Sequence, residues 1–164
     1  MRFFNKLTIS HSDERELKDF VDVYDDGMTC ERYLPMPFHV MDDECDSHVA
    51  WCNFNRGGLQ GDVGVCECDA EFSGEEAVVS RAEDGQITDA CCVFWTYEAA
   101  PLVLYKELLA REFSLSAVYF GLDEEICGIY QNGKHYSGRL SELLAPADGA
   151  TAFGDAQKDE AVSQ

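Results

Sequence analysis

The stretch DACCVFWTYEAAPLVLYKELL, from Asp89 to Leu109, constrains the fold more than any other part of the chain. Its first half is rich in β-branched and aromatic residues, which favour a strand in a sheet. Pro101 then precedes a leucine-rich run, and proline suits the first turn of a helix because its missing N–H needs no partner there. The stretch therefore predicts a strand that leads directly into a helix covering the sheet. The expected apolar face of this helix consists of Leu102, Tyr105, Leu108, Leu109 and either Glu112 or Phe113.

A strand and a helix are also predicted before this joint. Residues 3–10 alternate in the manner of a strand, and residues 12–27 have the pattern of a helix with Ser12 as its N-cap and Gly27 as its stop. The expected apolar stripe, at the spacing i, i+3, i+4 and i+7, consists of Leu17, Phe20, Val21 and Tyr24. The acids expected on the outer face are Asp19, Asp22 and Asp26.

Two residue pairs predict tight turns between antiparallel strands. Asp84-Gly85 separates two β-rich runs, and Asn132-Gly133 separates another two. Both pairs are favoured in two-residue hairpin loops. Residues 115–122 and the alternating residues 62–69 predict further strands, and residues 42–58 predict a short helix that ends in a glycine-rich loop.

The order of these elements indicates an α+β fold of the ferredoxin-like type, an antiparallel sheet with two helices on one face. We expect one domain over residues 1–145, with an irregular insert at about residues 28–61, and a flexible, polar C-terminal tail over residues 146–164. No apolar run approaches the ~20 residues of a membrane-spanning helix, and the N-terminus has no apolar segment typical of a secretion signal. We therefore expect a soluble, cytoplasmic protein.

The charge of the chain limits the classes of partner. There are 32 acidic and 12 basic residues, which give a formal net charge of −20. Phosphates repel carboxylates, so direct binding to nucleic acid is not expected. A dense set of carboxylates instead resembles duplex DNA, which has one phosphate per ~1.7 Å of axis. The acidic surface therefore indicates either a solvated face or a surface that binds a basic, nucleic-acid-binding protein.

The eight cysteines raise the question of a metal site. Cys45, His48 and Cys52 have the spacing of three zinc ligands, with His39 or Cys30 as a fourth. However, the chain has no C-x-x-C pair, which is the usual clamp of a structural zinc site, and several cysteines lie in apolar segments. We therefore expect reduced thiols and no metal or cofactor, with a zinc-stabilised binding module as the alternative.

Recognised catalytic motifs are not found in the sequence. The chain contains no H-E-x-x-H, no G-x-S-x-G and no P-loop, and its histidines lie far apart. Carboxylate pairs are expected by chance among 32 acidic residues. We therefore expect a protein that is not an enzyme, with an enzyme of unrecognised type as the second alternative.

Four motifs follow one another along the chain. They are NKLTI with the acidic helix after it, PMP at residues 35–37, an aromatic residue with an N-x-G loop at Trp51, Asn55 and Gly57, and F-x-T at Phe94 and Thr96 before Pro101. In this order they resemble the YubB-type family of plasmid and phage proteins, a family of unknown function with a ferredoxin-like domain. The resemblance implies a ferredoxin-like fold over residues 3–138 and an origin in a mobile genetic element.

The chain departs from the pattern of this family at several positions. The family loop usually holds two tryptophans, and Arg56 and Gln60 stand in their places. Glu98 replaces the tryptophan after F-x-T, and Ala100 replaces the first proline of a PP pair. If those tryptophans form a binding surface in the family, the resemblance implies that this member has lost or changed it.

The charge and the resemblance together lead to one hypothesis. The chain is an acidic mobile-element protein that binds a basic, nucleic-acid-binding host protein and inhibits a host defence system, of the CRISPR or restriction type, by nucleic-acid mimicry. The residues expected to contact the partner are Asp19, Asp22, Asp26, Asp42, Asp43, Glu44, Asp46 and Glu98.

Overall fold

A computed structural model describes residues 2–41, 46–58, 62–65, 73–122 and 125–143 of the chain. Its elements are β1 (Phe3–Ser10), α1 (Glu14–Asp25), α2 (Thr29–Tyr33), α3 (Phe38–Met41), α4 (Asp46–Asn55), β2 (Val78–Arg81), β3 (Ile87–Thr96), α5 (Leu102–Ala110), β4 (Ser114–Gly121), β5 (Ile126–Gln131), β6 (Lys134–Arg139) and α6 (Leu140–Leu143). This mixture of strands and helices confirms the predicted α+β class.

The strands form one antiparallel sheet in the order β2-β3-β1-β4-β5-β6. Asn132 and Gly133 both have positive φ angles, as this type of two-residue turn requires, and β5 and β6 form the predicted hairpin. The hairpin of β2 and β3 around Asp84-Gly85 is confirmed as well. Because the sheet has six strands, the expected ferredoxin-like arrangement is not confirmed.

Successive side chains of each strand point to opposite faces of the sheet, and the helices cover one of these faces. On β3, Cys92, Phe94 and Thr96 are buried on the covered face, whereas Val93 and Trp95 are partly exposed on the other. Both faces of β3 carry apolar residues, so alternation alone does not show which face is buried. The largest fully buried side chains of the core beneath the helices include Tyr24, Tyr105, Tyr130, Phe20, Phe94, Leu7 and Ile9.

Helix α1 begins and ends close to the predicted residues. Its N-cap is Asp13, whose carboxylate accepts a hydrogen bond from the Arg15 N–H at 2.9 Å, so the prediction of Ser12 is wrong by one residue. The Asp13 N–H in turn donates to His11 Nδ1, which holds the backbone extended before the helix. At the other end Gly27 has a φ of +68° and ends the helix, as predicted.

The prediction of a strand over residues 62–69 is wrong in its described part. Residues 62–65 pair with no strand, and residues 66–69 lie outside the described residues. The Asp62 carboxylate instead accepts hydrogen bonds from the N–H groups of Cys30 and Glu31 and caps α2. A carboxylate at this end of a helix satisfies unpaired N–H groups and is favoured by the helix dipole.

The expected irregular insert at about residues 28–61 contains the short helices α2, α3 and α4. A short helix that ends in a glycine-rich loop was predicted over residues 42–58. In the described part of this range, α4 and the glycine pair after it confirm the prediction. The predicted tail over residues 146–164 lies outside the described residues.

Helix α5 begins directly after Pro101, as predicted. It ends at Ala110, before Glu112 and Phe113, one of which was expected to complete its apolar face. Glu112 has a φ of +66°, and the Phe113 N–H turns back to donate to the Leu108 carbonyl. This turn still buries the Phe113 ring in the core, although the ring lies beyond the helix.

Candidate functional site

Many acidic residues have a structural role in the described part of the chain. Two of them cap helices, as described above. Glu14 accepts a hydrogen bond from the Ile87 N–H at 2.9 Å and pairs with Lys18 at 3.2 Å, and these contacts hold the pKa of Glu14 below its usual value. Asp19 pairs with Arg32 at 3.2 Å. Because such carboxylates stabilise the fold, their charge alone does not indicate a partner.

A different group of acids lies at the C-terminal end of α1. Asp22 and Asp25 are in its last turn, and Asp26 follows it directly. The Asp25 carboxylate accepts a hydrogen bond from the Ala77 N–H at 2.8 Å, so the segment before β2, with its two glutamates, lies beside the end of the helix. We call this group the acidic corner; it consists of Asp22, Asp25, Asp26, Glu75 and Glu76. All of these except Asp25 are exposed.

The acidic corner is electrostatically unfavourable for the fold. The C-terminal end of a helix has a partial negative charge, and α1 has no basic residue in its last turn. Among the described residues, neither Asp22 nor Asp26 forms an ion pair. Burial raises the pKa of the neighbouring Tyr24, and nearby negative groups, which include Asp25 and Glu75, raise it further.

The charge density of the acidic corner is comparable with that of a nucleic acid. Asp22 to Asp26 span about 6 Å of helix rise. The same length of duplex axis carries about three or four phosphates. The other side of α1 is anchored in the core by Leu17 and Phe20, so the helix presents these carboxylates to solvent on a rigid element.

Only some of the acids predicted to contact a partner lie in the acidic corner. Asp22 and Asp26 do, and Asp19 lies on the same helix but is paired with an arginine of α2. Glu75 and Glu76 were missed. They lie in an irregular segment, whose position periodicity does not predict. Long-range hydrogen bonds of that segment, from Ala77 to Asp25 and from Glu75 to Val93, bring them to the corner.

The remaining predicted contact residues are not part of the acidic corner as the structure describes it. Outside the described residues are Asp42, Asp43 and Glu44. Asp46 is the first residue of α4, and its side chain is not among those described. Glu98 is exposed after β3, where its side chain lies against Gly58 rather than in the acidic corner.

Two motifs of the family resemblance meet at one end of the sheet. The Gly57 carbonyl accepts hydrogen bonds from the N–H groups of Tyr97 and Glu98, both at 2.9 Å. The loop after α4 is thereby fixed to the joint between β3 and α5. Arg56, at one of the positions where the family has a tryptophan, is buried, and its guanidinium carbon lies 5.2 Å from the centre of the Trp51 ring.

The described cysteines are thiols that form no disulfide. Burial raises the pKa values of Cys30, Cys52 and Cys92, which disfavours the thiolate needed to bind a metal or act as a nucleophile. Of the candidate zinc ligands, His48 is partly exposed on α4, and Cys45 lies outside the described residues. In the part of the chain that the structure describes, no group of three or more His, Cys, Asp or Glu side chains could hold a metal ion.

Every helix within the described ranges is too short or too polar to span a lipid bilayer. Comparison of the chain with protein-family models, with curated proteins and with solved structures gives no match. The family resemblance therefore stays a prediction.

Proposed function

We propose that this chain is a non-enzymatic, acidic protein of a mobile genetic element that binds a basic, nucleic-acid-binding protein in the host cytoplasm. It occupies the nucleic-acid site of that partner by charge mimicry and so inhibits a host defence system, of the CRISPR or restriction type. The acidic corner is the centre of the contact surface.

One observation carries this proposal: Asp22 and Asp26 are exposed at the C-terminal end of α1, where a negative charge costs stability. Each exposed carboxylate at the end of a helix with partial negative charge costs about 0.3–1 kcal/mol. A charge needed only for solubility can lie anywhere on the surface, including the N-terminal end of α1, where it stabilises the helix. The presence of exposed carboxylates that lower the stability of the fold is explained more simply by a partner with the opposite charge.

The family resemblance adds a second part to the proposal. We propose that β1, α1, β2, β3, α5 and β4 form a ferredoxin-like core to which the β5–β6 hairpin is added. The order β2-β3-β1-β4 within the sheet, with α1 and α5 packed into one core, supports this. The YubB-type resemblance supports an origin in a plasmid or phage.

The experiment compares two variants of equal net charge. The corner variant combines Asp22→Asn, Asp26→Asn, Glu75→Gln and Glu76→Gln, and keeps Asp25 because of its bond to Ala77. The control variant combines Glu83→Gln, Glu107→Gln, Glu112→Gln and Glu125→Gln. Each variant neutralises four acids and so changes the formal net charge from −20 to −16. Wild-type and variant chains are immobilised to capture proteins from the host cells, and mass spectrometry identifies what is bound.

We expect the wild type and the control variant to capture the same basic, nucleic-acid-binding protein, and the corner variant to bind it at least about tenfold more weakly.

The purified partner should lose its nucleic acid when the wild-type chain is added, and its affinity for the chain should fall between about 50 and about 500 mM salt. The corner variant should resist urea at least as well as the wild type, because it removes repulsion at the helix end. Equal loss in both variants, or a captured partner that binds no nucleic acid, would contradict the proposal.

A further inference from the structure

The face of the sheet opposite the helices is covered by no described element. Two rows of side chains cross its strands in register. The first row is Val93, Lys6, Val118, Ile129 and Tyr136, and the second is Trp95, Phe4, Phe120 and Cys127. We call these residues the open face. They belong to β3, β1, β4, β5 and β6, so the open face spans most of the sheet.

The open face is apolar and in contact with solvent. Val118 is 49% exposed, and Ile129 and Tyr136 are each 39% exposed. The rings of Phe4 and Trp95 are partly exposed and pack edge to face, with centres 5.3 Å apart. Single exposed apolar residues are common on protein surfaces, but a contiguous apolar patch marks an interaction site.

A lysine stands in the middle of this apolar patch. Lys6 lies directly between Val93 and Val118 in the register of the sheet. Among the described residues it forms no ion pair, although the chain has 32 acidic residues. At the end of the second row, the guanidinium carbon of Arg2 lies 4.7 Å from the centre of the Trp95 ring. The open face therefore carries positive charge on a strongly acidic protein.

The acid nearest to these rows along the strands is already engaged. Among the described residues, Asp89 is the only acid at a strand position on this side of the sheet, and it lies outside both rows. Its carboxylate accepts hydrogen bonds from the hydroxyls of Ser80 and Thr88. Outside the strands, Glu75 lies beside Val93, to whose carbonyl its N–H donates at 2.9 Å. Lys6 thus has no carboxylate of its own chain along the strands of this face.

The dimensions and charge of the open face define the partner that fits it. Five strands at a spacing of about 4.8 Å give a surface about 20 Å wide, and the two rows are about 7 Å apart. An α-helix of about four turns and about 10 Å diameter has this size. A partner that covered Lys6 with apolar groups alone would bury an unpaired charge, which is strongly unfavourable.

We propose that the open face binds one amphipathic helix of another protein, and that the apolar side of this helix carries an Asp or Glu that pairs with Lys6. A second copy of the chain fits less well, because its own open face offers another lysine and no carboxylate. Nucleic acid fits less well because the chain as a whole is strongly negative. The open face and the acidic corner share no residue, although the Glu75 N–H donates to the Val93 carbonyl at 2.9 Å and so places the corner beside one end of the first row. This proposal does not depend on the proposed function, because it concerns an apolar surface and a different partner.

The test selects peptides against the open face. A displayed library of random peptides of about 16 residues, long enough for about four helical turns, is selected on the wild-type chain. Counter-selection on a Val118→Lys variant removes peptides that bind elsewhere, including basic peptides on the acidic corner. Ile129→Lys serves as a second variant of the same surface. Phe54→Lys is the matched control, because Phe54 is 79% exposed on α4, away from this face.

We expect the enriched peptides to have helical apolar spacing with one Asp or Glu within the apolar side. Val118→Lys, Ile129→Lys and Lys6→Glu should each weaken their binding at least about tenfold, and Phe54→Lys should leave it unchanged. Exchange of the peptide acid for lysine should restore binding to the Lys6→Glu variant. Circular dichroism verifies that each variant is folded.

Three results would overturn the proposal. The first is a selection that enriches no peptide, or only peptides whose binding is insensitive to Val118→Lys. The second is a wild-type dimer in sedimentation equilibrium that Val118→Lys dissociates, which would identify a second copy as the occupant. The third is saturable quenching of tryptophan fluorescence by an oligo-dT of about 15 nucleotides that Val118→Lys abolishes, which would identify nucleic acid.

Discussion

At the scale of single residues, Gly57 is a position where we expect the fold to tolerate little change. Its φ is +63°, and a Cβ at this position would overlap the Ala99 carbonyl oxygen and lie 3.2 Å from the Cβ of Thr96. We expect Gly57→Ala to lower the free energy of unfolding by about 3 kcal/mol, through left-handed strain of about 1–2 kcal/mol and overpacking against the joint after β3. Urea unfolding followed by circular dichroism measures the loss.

Gly85 provides the control for this prediction. Its φ is +85°, but no atom lies within 4 Å of a Cβ built there. Gly85→Ala should therefore cost only about 1 kcal/mol, because the strain is partly offset by the smaller entropy of the unfolded chain. If both substitutions cost the same, the loop after α4 is not held against the joint.

These residues also show how far the sequence alone could go. The sequence marked Gly57 and Thr96 as parts of two motifs, and they are neighbours in the fold. It could not show why Gly57 must be a glycine, because the atom that excludes a side chain belongs to Ala99, far along the chain. The prediction of Ser12 as N-cap was wrong by one residue for a similar reason, since serine and aspartate both cap helices well and the contact of Asp13 with His11 cannot be seen in the sequence.

At the scale of elements, α2 depends on a carboxylate from outside the helix. The helix has five residues, and the N–H groups of Cys30 and Glu31 both donate to Asp62. Short helices are marginal on their own, so this cap should matter more than its surface position suggests. We expect Asp62→Ala to lower the free energy of unfolding by about 1–2 kcal/mol, measured by urea unfolding.

The control for this prediction is Asp26→Ala at the C-cap of α1. Its side chain accepts no hydrogen bond among the described residues, and its charge is unfavourable at that end, so the change should be neutral or slightly stabilising. Asp62→Ala should also speed hydrogen exchange at the amides of Cys30 and Glu31. Unchanged protection of these amides would argue against the cap.

Elements with a strong local signal in the sequence were predicted correctly, whereas a segment whose signal was weak and whose contacts are distant was not. The Asp84-Gly85 and Asn132-Gly133 hairpins follow from turn chemistry within a few residues. The strand predicted over residues 62–69 relied on alternation in a short segment, whereas Asp62 is used by a helix that starts more than thirty residues earlier. Sequence periodicity contains no signal for such a contact.

At the scale of the whole molecule, the total charge was known from the sequence, but its distribution was not. Helical periodicity correctly put Asp22 and Asp26 on the outer face of α1. It could not separate them from Asp19, which is neutralised by an ion pair, or show that Lys6 would stand in an apolar sheet face. In the described part of the chain, some carboxylates are thus structural and others form the acidic corner, while Lys6 and Arg2 give the open face positive charge.

The buried thiols and phenols should make the whole fold sensitive to alkaline pH. Burial raises the pKa values of Cys30 and Cys92, and it raises the pKa of Tyr33 to about 12. In the unfolded chain a thiol loses its proton at about pH 8.5 and a phenol at about pH 10, so above these values the native state binds more protons than the unfolded state. The stability that these groups contribute is therefore complete below about pH 8.5 and is lost as the pH rises toward their folded pKa values.

Urea titrations over a pH series measure this effect. We expect the free energy of unfolding to be nearly constant between about pH 7 and pH 8, and then to fall by about 1.4 kcal/mol per pH unit for each buried thiol. The carboxylates are ionised throughout this range, so the acidic residues contribute nothing to the slope. Cys92→Ala should lower this slope by about 1.4 kcal/mol per pH unit, because it removes one buried thiol. A free energy of unfolding that stays constant up to about pH 10 would contradict the burial of these thiols in the core.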